Sequence, residues 1–426
     1  MTADLHTRPA LALGFGAAFM SAAGQSFFIG LFGPSVQDAL GVNASTWGVL
    51  YGLATLAGGL AMFWLGGQVD RVRPVAALSL ALGLMAVGAF LMAAAQGAVL
   101  LLCSLLCLRL GGQGLAGHLA IVVAARYSAR RGRGVAIAAY GFIVGEALLP
   151  ALVVTLLGFG SWRALWTGVG LVIVGVAWPL LSWWARALPP PASQPDPPAP
   201  SPTDTTTRSA QPGPKAPTAW RRRDLLRDPR FRAALTVMLV PPVVVTAVFV
   251  QQGAIAARLG WHPGGAAWAM AGFATAQAIS TWMAGRWVDR NGAHRLLRIY
   301  LWPLAAGMAL AGLPLTSAVT VAPSWPWWCL FVGLGTTAGA QSVLSGALWV
   351  ELFGEASVGR VRGVYAALMV LATAVAPMAL GLVFDTQMPA LVPALAVLAY
   401  VLLVTPMASR TLRMFGARPA SSPLVP

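Results

Sequence analysis

Charge is what this chain has least of. Asp, Glu, Lys and Arg make up only 9% of its 426 residues, against roughly 25% in a soluble globular domain, so a water-soluble fold is excluded. Cysteine is nearly absent. Cys103, Cys107 and Cys329 all fall inside apolar runs, and although the first two share a helical face, no His or carboxylate stands at ligand spacing from any of them. Neither a disulfide framework nor a metal site is expected, and no cofactor. The four histidines are scattered, whereas a polytopic membrane enzyme would gather His or Asp at the bilayer surface. No G-x-x-x-x-G-K-[ST] loop occurs, which leaves nucleotide-driven pumping without its phosphate cradle.

Apolar residues fill the chain instead, 58% of it, with a mean hydropathy of +0.74. Cut at its charges and Pro/Gly turns, the sequence leaves apolar runs of about 20 residues or more, six before its middle and six after. That is the length a helix needs to cross about 30 Å of hydrocarbon at about 1.5 Å per residue. Polar residues are too sparse for transmembrane strands, which alternate over roughly ten residues. The pattern predicts an all-α membrane protein of twelve transmembrane helices in two six-helix halves, residues 1–187 and 231–410. The first run, Ala10 to Phe32, is long and lacks a small-residue cleavage site, so it reads as a retained span. Residues 188–230 turn abruptly to Pro, Ser, Thr, Ala and Gln, a composition expected to form a partly disordered linker. An amphipathic interfacial stretch from Trp220 to Arg232 ends it, and 411–426 form a tail.

The halves carry an internal copy. Gly66-Gly67-Gln68-Val69-Asp70-Arg71 and Gly285-Arg286-Trp287-Val288-Asp289-Arg290 both read G-x-x-x-D-R, half the chain apart, each predicted as a charged turn between two long apolar helices. A repeat over so long a period means a duplicated half-protein. A second pair rhymes more loosely: Arg131-Gly132-Arg133-Gly134 and Arg360-Val361-Arg362-Gly363.

The net charge of +16 lies in alternate loops. Arg71 and Arg73, Arg126 to Arg133, the linker, Arg290 to Arg298, Arg360 and Arg362, and the tail hold it, while the intervening loops offer little more than Arg163 and Arg258. By the positive-inside rule both termini, the linker and both repeated loops are cytoplasmic, and the basic excess faces anionic lipid. No basic stripe is interleaved with stacking aromatics, so no nucleic acid partner is expected. Several tryptophans, Trp47, Trp162, Trp183, Trp184, Trp325 and Trp327, fall where an interfacial aromatic belt is expected.

Twelve helices in two halves, a G-x-x-x-D-R loop after helix two, its weaker copy after helix eight and a long linker together resemble the major facilitator superfamily, over all but the linker and tail. The resemblance implies that Asp70 holds the halves together on the cytoplasmic side in the outward-open state, with Arg71 and Arg73 pinning it. The gating set is then Gly66, Asp70, Arg71, Arg73, Gly285, Asp289 and Arg290. It also implies that helices one, four, seven and ten line the cavity, which makes Gln25, Gln113, Gln252 and Gln341 its candidate polar lining. Helix five has Gly141, Gly145, Glu146 and Pro150 where the family's antiporters carry Gly-Pro, which weakens a reading of antiport.

Ionisable residues inside spans are few, and a charge at bilayer depth costs several kcal/mol unless paired or wet. Arg109 in helix four and Glu146 in helix five both fall near the midplane at about 1.5 Å per residue. In one reading Arg109 offers a bidentate fork to a substrate carboxylate and Glu146 carries a coupled proton. In the other they form a static buried ion pair. His118, nine residues past Arg109, points to roughly the opposite face on a 3.6-residue count. It is either a second proton site or a packed, hydrogen-bonded histidine. Each glutamine is equally an interhelical tie.

The expectation is a secondary active transporter of the inner membrane, a monomer, moving a small organic anion by alternating access with proton symport. Proton-coupled drug efflux is the rival within transport. A transport-like sensor or a polytopic enzyme is the rival outside it.

Overall fold

The computed structural model describes residues 2–69, 71–128, 130–190, 222–311, 323–354, 357–386, 388–389 and 392–415. Among the described residues, the helices group into twelve rods in two sets of six. Helix one is Thr2–Met20 continued by Ser26–Leu31 and Gly33–Leu40, helix two Ala44–Val69, helix three Pro74–Ala93 and helix four Ala98–Leu108 with Gly117–Tyr127. Helix five is Arg131–Leu157, and helix six is Trp162–Val172 with Trp178–Arg186. In the second set, helix seven is Pro229–Met238, Val240–Val250 and Gln252–Leu259, and helix eight Gly265–Asn291. Helix nine is Trp302–Ala311, helix ten Trp325–Phe353, helix eleven Val358–Asp385 and helix twelve Val392–Phe415.

Nine helices among the described residues are long and apolar enough to cross a membrane. Helices eight and ten have the length, 27 and 29 residues, but spend much of it on Gly, Ser, Thr and Trp. Those small residues serve packing: Gly335 and Gly339 of helix ten sit on the backbone of Phe273 and Gln277 of helix eight, the close approach that lipid-embedded helices need without a hydrophobic drive between them.

Local chemistry sets the rod ends. Asn43 Oδ1 accepts from Thr46 N at 2.9 Å, and Asp228 Oδ1 from Arg230 N at 2.7 Å and Phe231 N at 3.3 Å, each filling an N-terminal donor that a helix leaves open. Helix seven therefore starts at Pro229, within the stretch read as interfacial, where only Arg222–Arg227 forms a separate short helix with Leu225 buried. The duplication reaches the backbone angles. Gly33–Leu40 ends on Gly41 at φ 63°, ψ 30°, and Gln252–Leu259 ends on Gly260 at φ 65°, ψ 28°, a left-handed cap that glycine adopts without strain. The offset that carries Gly66 onto Gly285 also carries Gly41 onto Gly260.

The second G-x-x-x-D-R copy is helical rather than a turn, which corrects the sequence reading, while the first copy is helical over Gly66–Val69 and turns at Arg71. Gly66 lies inside helix two, and Gly285, Asp289 and Arg290 inside helix eight. Glycine alone does not stop a helix. Helix two runs to Val69 with a turn at Arg71 before Pro74 opens helix three, and helix eight runs on to Gly292 with φ 83°. Asp70 lies outside the described residues, as do linker residues 191–221 and tail residues 416–426. The aromatic belt also needs correction. Trp47, Trp162 and Trp327 are buried, and the indoles of Trp47 and Trp327 donate to the carbonyls of Val250 and His262, both at 3.0 Å.

The halves meet chiefly along helix two against helix eleven, at the end of the bundle whose loops are poor in arginine. There Gly48 and Gly52 lie on the backbone of Pro377 and Ala374, and Gly30 on that of Phe249. Gln251 Nε2 donates to the carbonyls of Ala44 and Pro377, both at 2.8 Å, and Asp385 Oδ2 accepts from Ser45 N at 3.0 Å. At the arginine-rich end the picture reverses. Gly67, Gly132, Gly285, Gly359 and Gly363 have no outside atom within 4 Å of a side-chain position, and Leu60, Phe63 and Trp64 of helix two are exposed. The bundle is closed at its arginine-poor end and parted at the other.

Candidate functional site

Helix one breaks in the middle of its run. Ser21 Oγ donates back to the Ala18 carbonyl at 2.7 Å, a local bond that competes with the helix ladder. The chain then makes a tight turn over Ser21–Gly24 before Gln25 extends at φ −89°, ψ 156°. Gly24 at this break lies against Gly112 of helix four, where a Cβ would meet Gly112 Cα at 2.8 Å. Helix four answers with a π-helical segment, Arg109–Ala116. Its glycines tolerate the wider turn, and π-bulges cluster at functional sites.

The crossing puts Arg109 at the centre of the N-terminal half. It is only 6% exposed. Its Nε donates to Thr55 Oγ1 at 3.2 Å, its Nη1 to the Gly24 carbonyl at 3.0 Å, and its guanidinium lies over the Tyr51 ring at 4.8 Å from the centroid. A guanidinium has five N–H donors, and Nη2 forms no hydrogen bond among the described residues. No carboxylate neutralises Arg109 there either, so the static pair with Glu146 is not formed. Glu146, half-buried on helix five, has its Oε2 shut off from solvent and unpartnered. The site thus holds a buried cation and a separate buried carboxyl.

The C-terminal half solves a similar break differently. Pro241 and Pro242 lack the N–H groups that would bond Val237 and Met238 four residues back. Tyr300 Oη donates to the Val237 carbonyl at 2.9 Å, and Gln341 Nε2 and Tyr365 Oη donate to the Met238 carbonyl at 3.0 and 3.2 Å. Gln341 and Tyr365 line a cavity of about 340 Å³ between helices seven, ten and eleven, with Arg362 also in its wall.

The remaining candidates scatter. Gln25 is half-buried at the helix-one break and Gln113 exposed within the π segment. Gln252 is buried near Gly30 at the seam and donates to the Phe249 carbonyl of its own helix at 3.0 Å, so it sits in the closed end rather than facing a cleft. His118 is half-buried and partnered. Its opposite-face assignment no longer follows, because π turns hold more residues than the 3.6 it assumed. Arg71, Arg73, Asp289 and Arg290 are exposed at the arginine-rich end. Among the described residues no His, Cys or carboxylate cluster could hold a metal ion.

Sequence reasoning missed Gln251, the cross-half clamp, and the tyrosines. Pro241-Pro242 inside an apolar run was the available signal, since two lost donors announce two carbonyls in want of partners.

The model of the Major Facilitator Superfamily matches residues 14–251. No curated protein matches the chain. Among solved structures, a bacterial homologue of the human lysosomal transporter Spinster, inward-facing and unoccupied, superposes with a TM-score of 0.67 at 18% identity, covering 98% of this chain and 99% of that one. A mutant of the nucleoside transporter NupG gives 0.68 at 12%, covering 94% and 99%. The Spinster homologue in its inward-facing, occupied form gives 0.59 at 16%, covering 96% and 94%. Identities this low speak for the fold.

Proposed function

Because the chain belongs to the Major Facilitator Superfamily, a family of small-solute transporters, we propose that it moves a small organic anion across the inner membrane by alternating access, bound through Arg109 and coupled to protons through Glu146. The observation that carries this is the buried guanidinium: Arg109 is held by Thr55 and Gly24, neutral partners, and keeps Nη2 for a guest. A cation at this depth without a counter-ion costs several kcal/mol, a cost that an incoming carboxylate relieves through a charge-assisted bond. Glu146, which forms no ion pair with Arg109 and leaves Oε2 without a partner, is free to take and release a proton as the bundle opens and closes. The arginine-rich end is the cytoplasmic one by the positive-inside rule, so the parted cleft faces the cytoplasm with both termini beside it. The connection after helix two, carrying Arg71 and Arg73, and the end of helix eight, carrying Asp289 and Arg290, close that end when the bundle rocks.

A thermal-shift screen of the purified protein with small carboxylates against amphipathic cations tests the sign of the solute. Stabilisation by carboxylates alone is expected. Stabilisation by amphipathic cations alone would replace this reading with drug export.

A further inference from the structure

At the arginine-rich end a tryptophan holds helix six off helix three. Trp178, between the π segment Ile173–Ala177 and Pro179, wedges the two rods apart: its indole Nε1 donates to Ser79 Oγ at 3.2 Å, and a Cβ on Gly83 would meet its ring at 3.3 Å. The wedge leaves a cavity of about 430 Å³ whose wall holds Val75, Ser79, Val174 and Arg186 besides the tryptophan. The polar groups of that wall are donors short of acceptors. Arg186, exposed in the last turn of helix six, makes no hydrogen bond and meets no carboxylate among the described residues. Ser79, half-buried, accepts from Trp178 and has its own proton left over. In the first turn of helix three the Arg73 carbonyl takes Ala76 N and Ala77 N, which leaves the N–H of Val75 open at the positive end of that helix. Arg73 itself is exposed beside it. Ser182, also in the wall, has its Oγ sealed beneath the surface and is no handle for a guest. Open donors with no carboxylate among them call for an anion. Toward the midplane the wall turns apolar: Val174 lies twelve residues before Arg186, about 18 Å of helix at about 1.5 Å each, and Leu171 and Leu80 stand exposed on the same two helices.

We propose that this cavity seats the headgroup of an anionic phospholipid of the cytoplasmic leaflet, with its phosphate on Arg186 and Ser79 and an acyl chain along Val174. A free phosphate would use the donors and leave the apolar part of the cavity empty. A lipid uses both, and it already lies at this depth. Trp183 and Trp184 precede Arg186 in the closing turns of helix six, the aromatic pattern that marks headgroup level. Arg186 and Arg73 together disfavour a headgroup that carries its own cation, so phosphatidylglycerol is preferred over phosphatidylcholine although both bear the phosphate. The site depends on the chain lying in the membrane with this end cytoplasmic, and not on which solute it moves.

Native mass spectrometry of the full chain, delipidated in detergent, tests it with phosphatidylglycerol and phosphatidylcholine of the same chains, and with glycerol phosphate and inorganic phosphate as competitors. The wild type should hold a single phosphatidylglycerol about tenfold more tightly than phosphatidylcholine. Arg186→Gln should lose about tenfold in phosphatidylglycerol affinity and most of that preference, and Ser79→Ala about threefold. Arg413→Gln should lose nothing, although Arg413 stands exposed in the last turn of helix twelve at the same end. An equal loss in Arg413→Gln would mean diffuse surface attraction and overturn the site. Equal affinities of the wild type for the two lipids overturn it too, as does retention of neither. Displacement of phosphatidylglycerol by glycerol phosphate or inorganic phosphate at matching concentration replaces it with a soluble-anion pocket. The wild-type comparison decides even if Arg186→Gln does not fold.

Discussion

In the N-terminal half the carbonyl at the break of helix one is caught by a charged side chain, Arg109, and in the C-terminal half the carbonyls at the break of helix seven are caught by neutral ones, Tyr300, Gln341 and Tyr365. Both halves use helix four or its counterpart, helix ten, to hold a broken partner. The offset that carries Gly66 onto Gly285 places Gly24 opposite Val243, not Met238, so the device was not copied residue for residue. The duplication preserved rods and caps, while the polar ties diverged. One half holds its break with a buried guanidinium and the other with neutral donors.

The largest effect that would break this contrast is expected at Arg109. Arg109→Gln should abolish solute binding and uptake with expression unchanged, and Arg109→Lys should fall between, since an ammonium keeps the charge but cannot span Thr55 and Gly24 as a fork; a radiolabelled uptake assay ranks the three. Wild-type uptake by Arg109→Gln would remove its role.

The seam is next. Gln251→Leu deletes the hydrogen bond between the halves to Ala44 and a second within the C-terminal half to Pro377, and should shift the population toward states opened at the arginine-poor end by about threefold to tenfold, the cross-half bond being worth roughly 0.6 to 1.4 kcal/mol. Accessibility of a cysteine in place of Ala44, whose side chain is buried at the seam, reads the shift. Unchanged labelling would make Gln251 a bystander.

Tyr365→Phe is the smallest, a stability loss of about 0.6 to 1.7 kcal/mol by thermal melting, because the Met238 carbonyl loses a donor. Pro242→Ala should reduce that loss, as the restored amide of residue 242 bonds Met238 directly. A double-mutant cycle with no coupling would refute the proline origin of the tie.

Much of this was legible beforehand. Scarce charge, twelve apolar runs and the G-x-x-x-D-R repeat lead to the architecture and the family, and Arg109 and Glu146 stand out because ionisable groups are so rare in spans. Whether Arg109 and Glu146 pair depends on the rotation of helices four and five, and the π segment at Arg109–Ala116 changes that rotation in a way that no 3.6-residue count anticipates. The glutamines were harder still. Gln251 and Gln252 are neighbours in sequence, yet one clamps the halves and the other bonds its own helix, because the chain kinks between Val250 and Gln252.

The sequence by itself determined the solvent and the count. Apolar runs of spanning length must lie in lipid, and a half that recurs along the chain must fold twice. Only the tertiary structure decided which end is shut, which carbonyls lack a ladder partner and which side chain reaches them. Those outcomes depend on where glycines let two backbones touch and where prolines withhold a proton, contacts between residues far apart in the chain that periodicity cannot register.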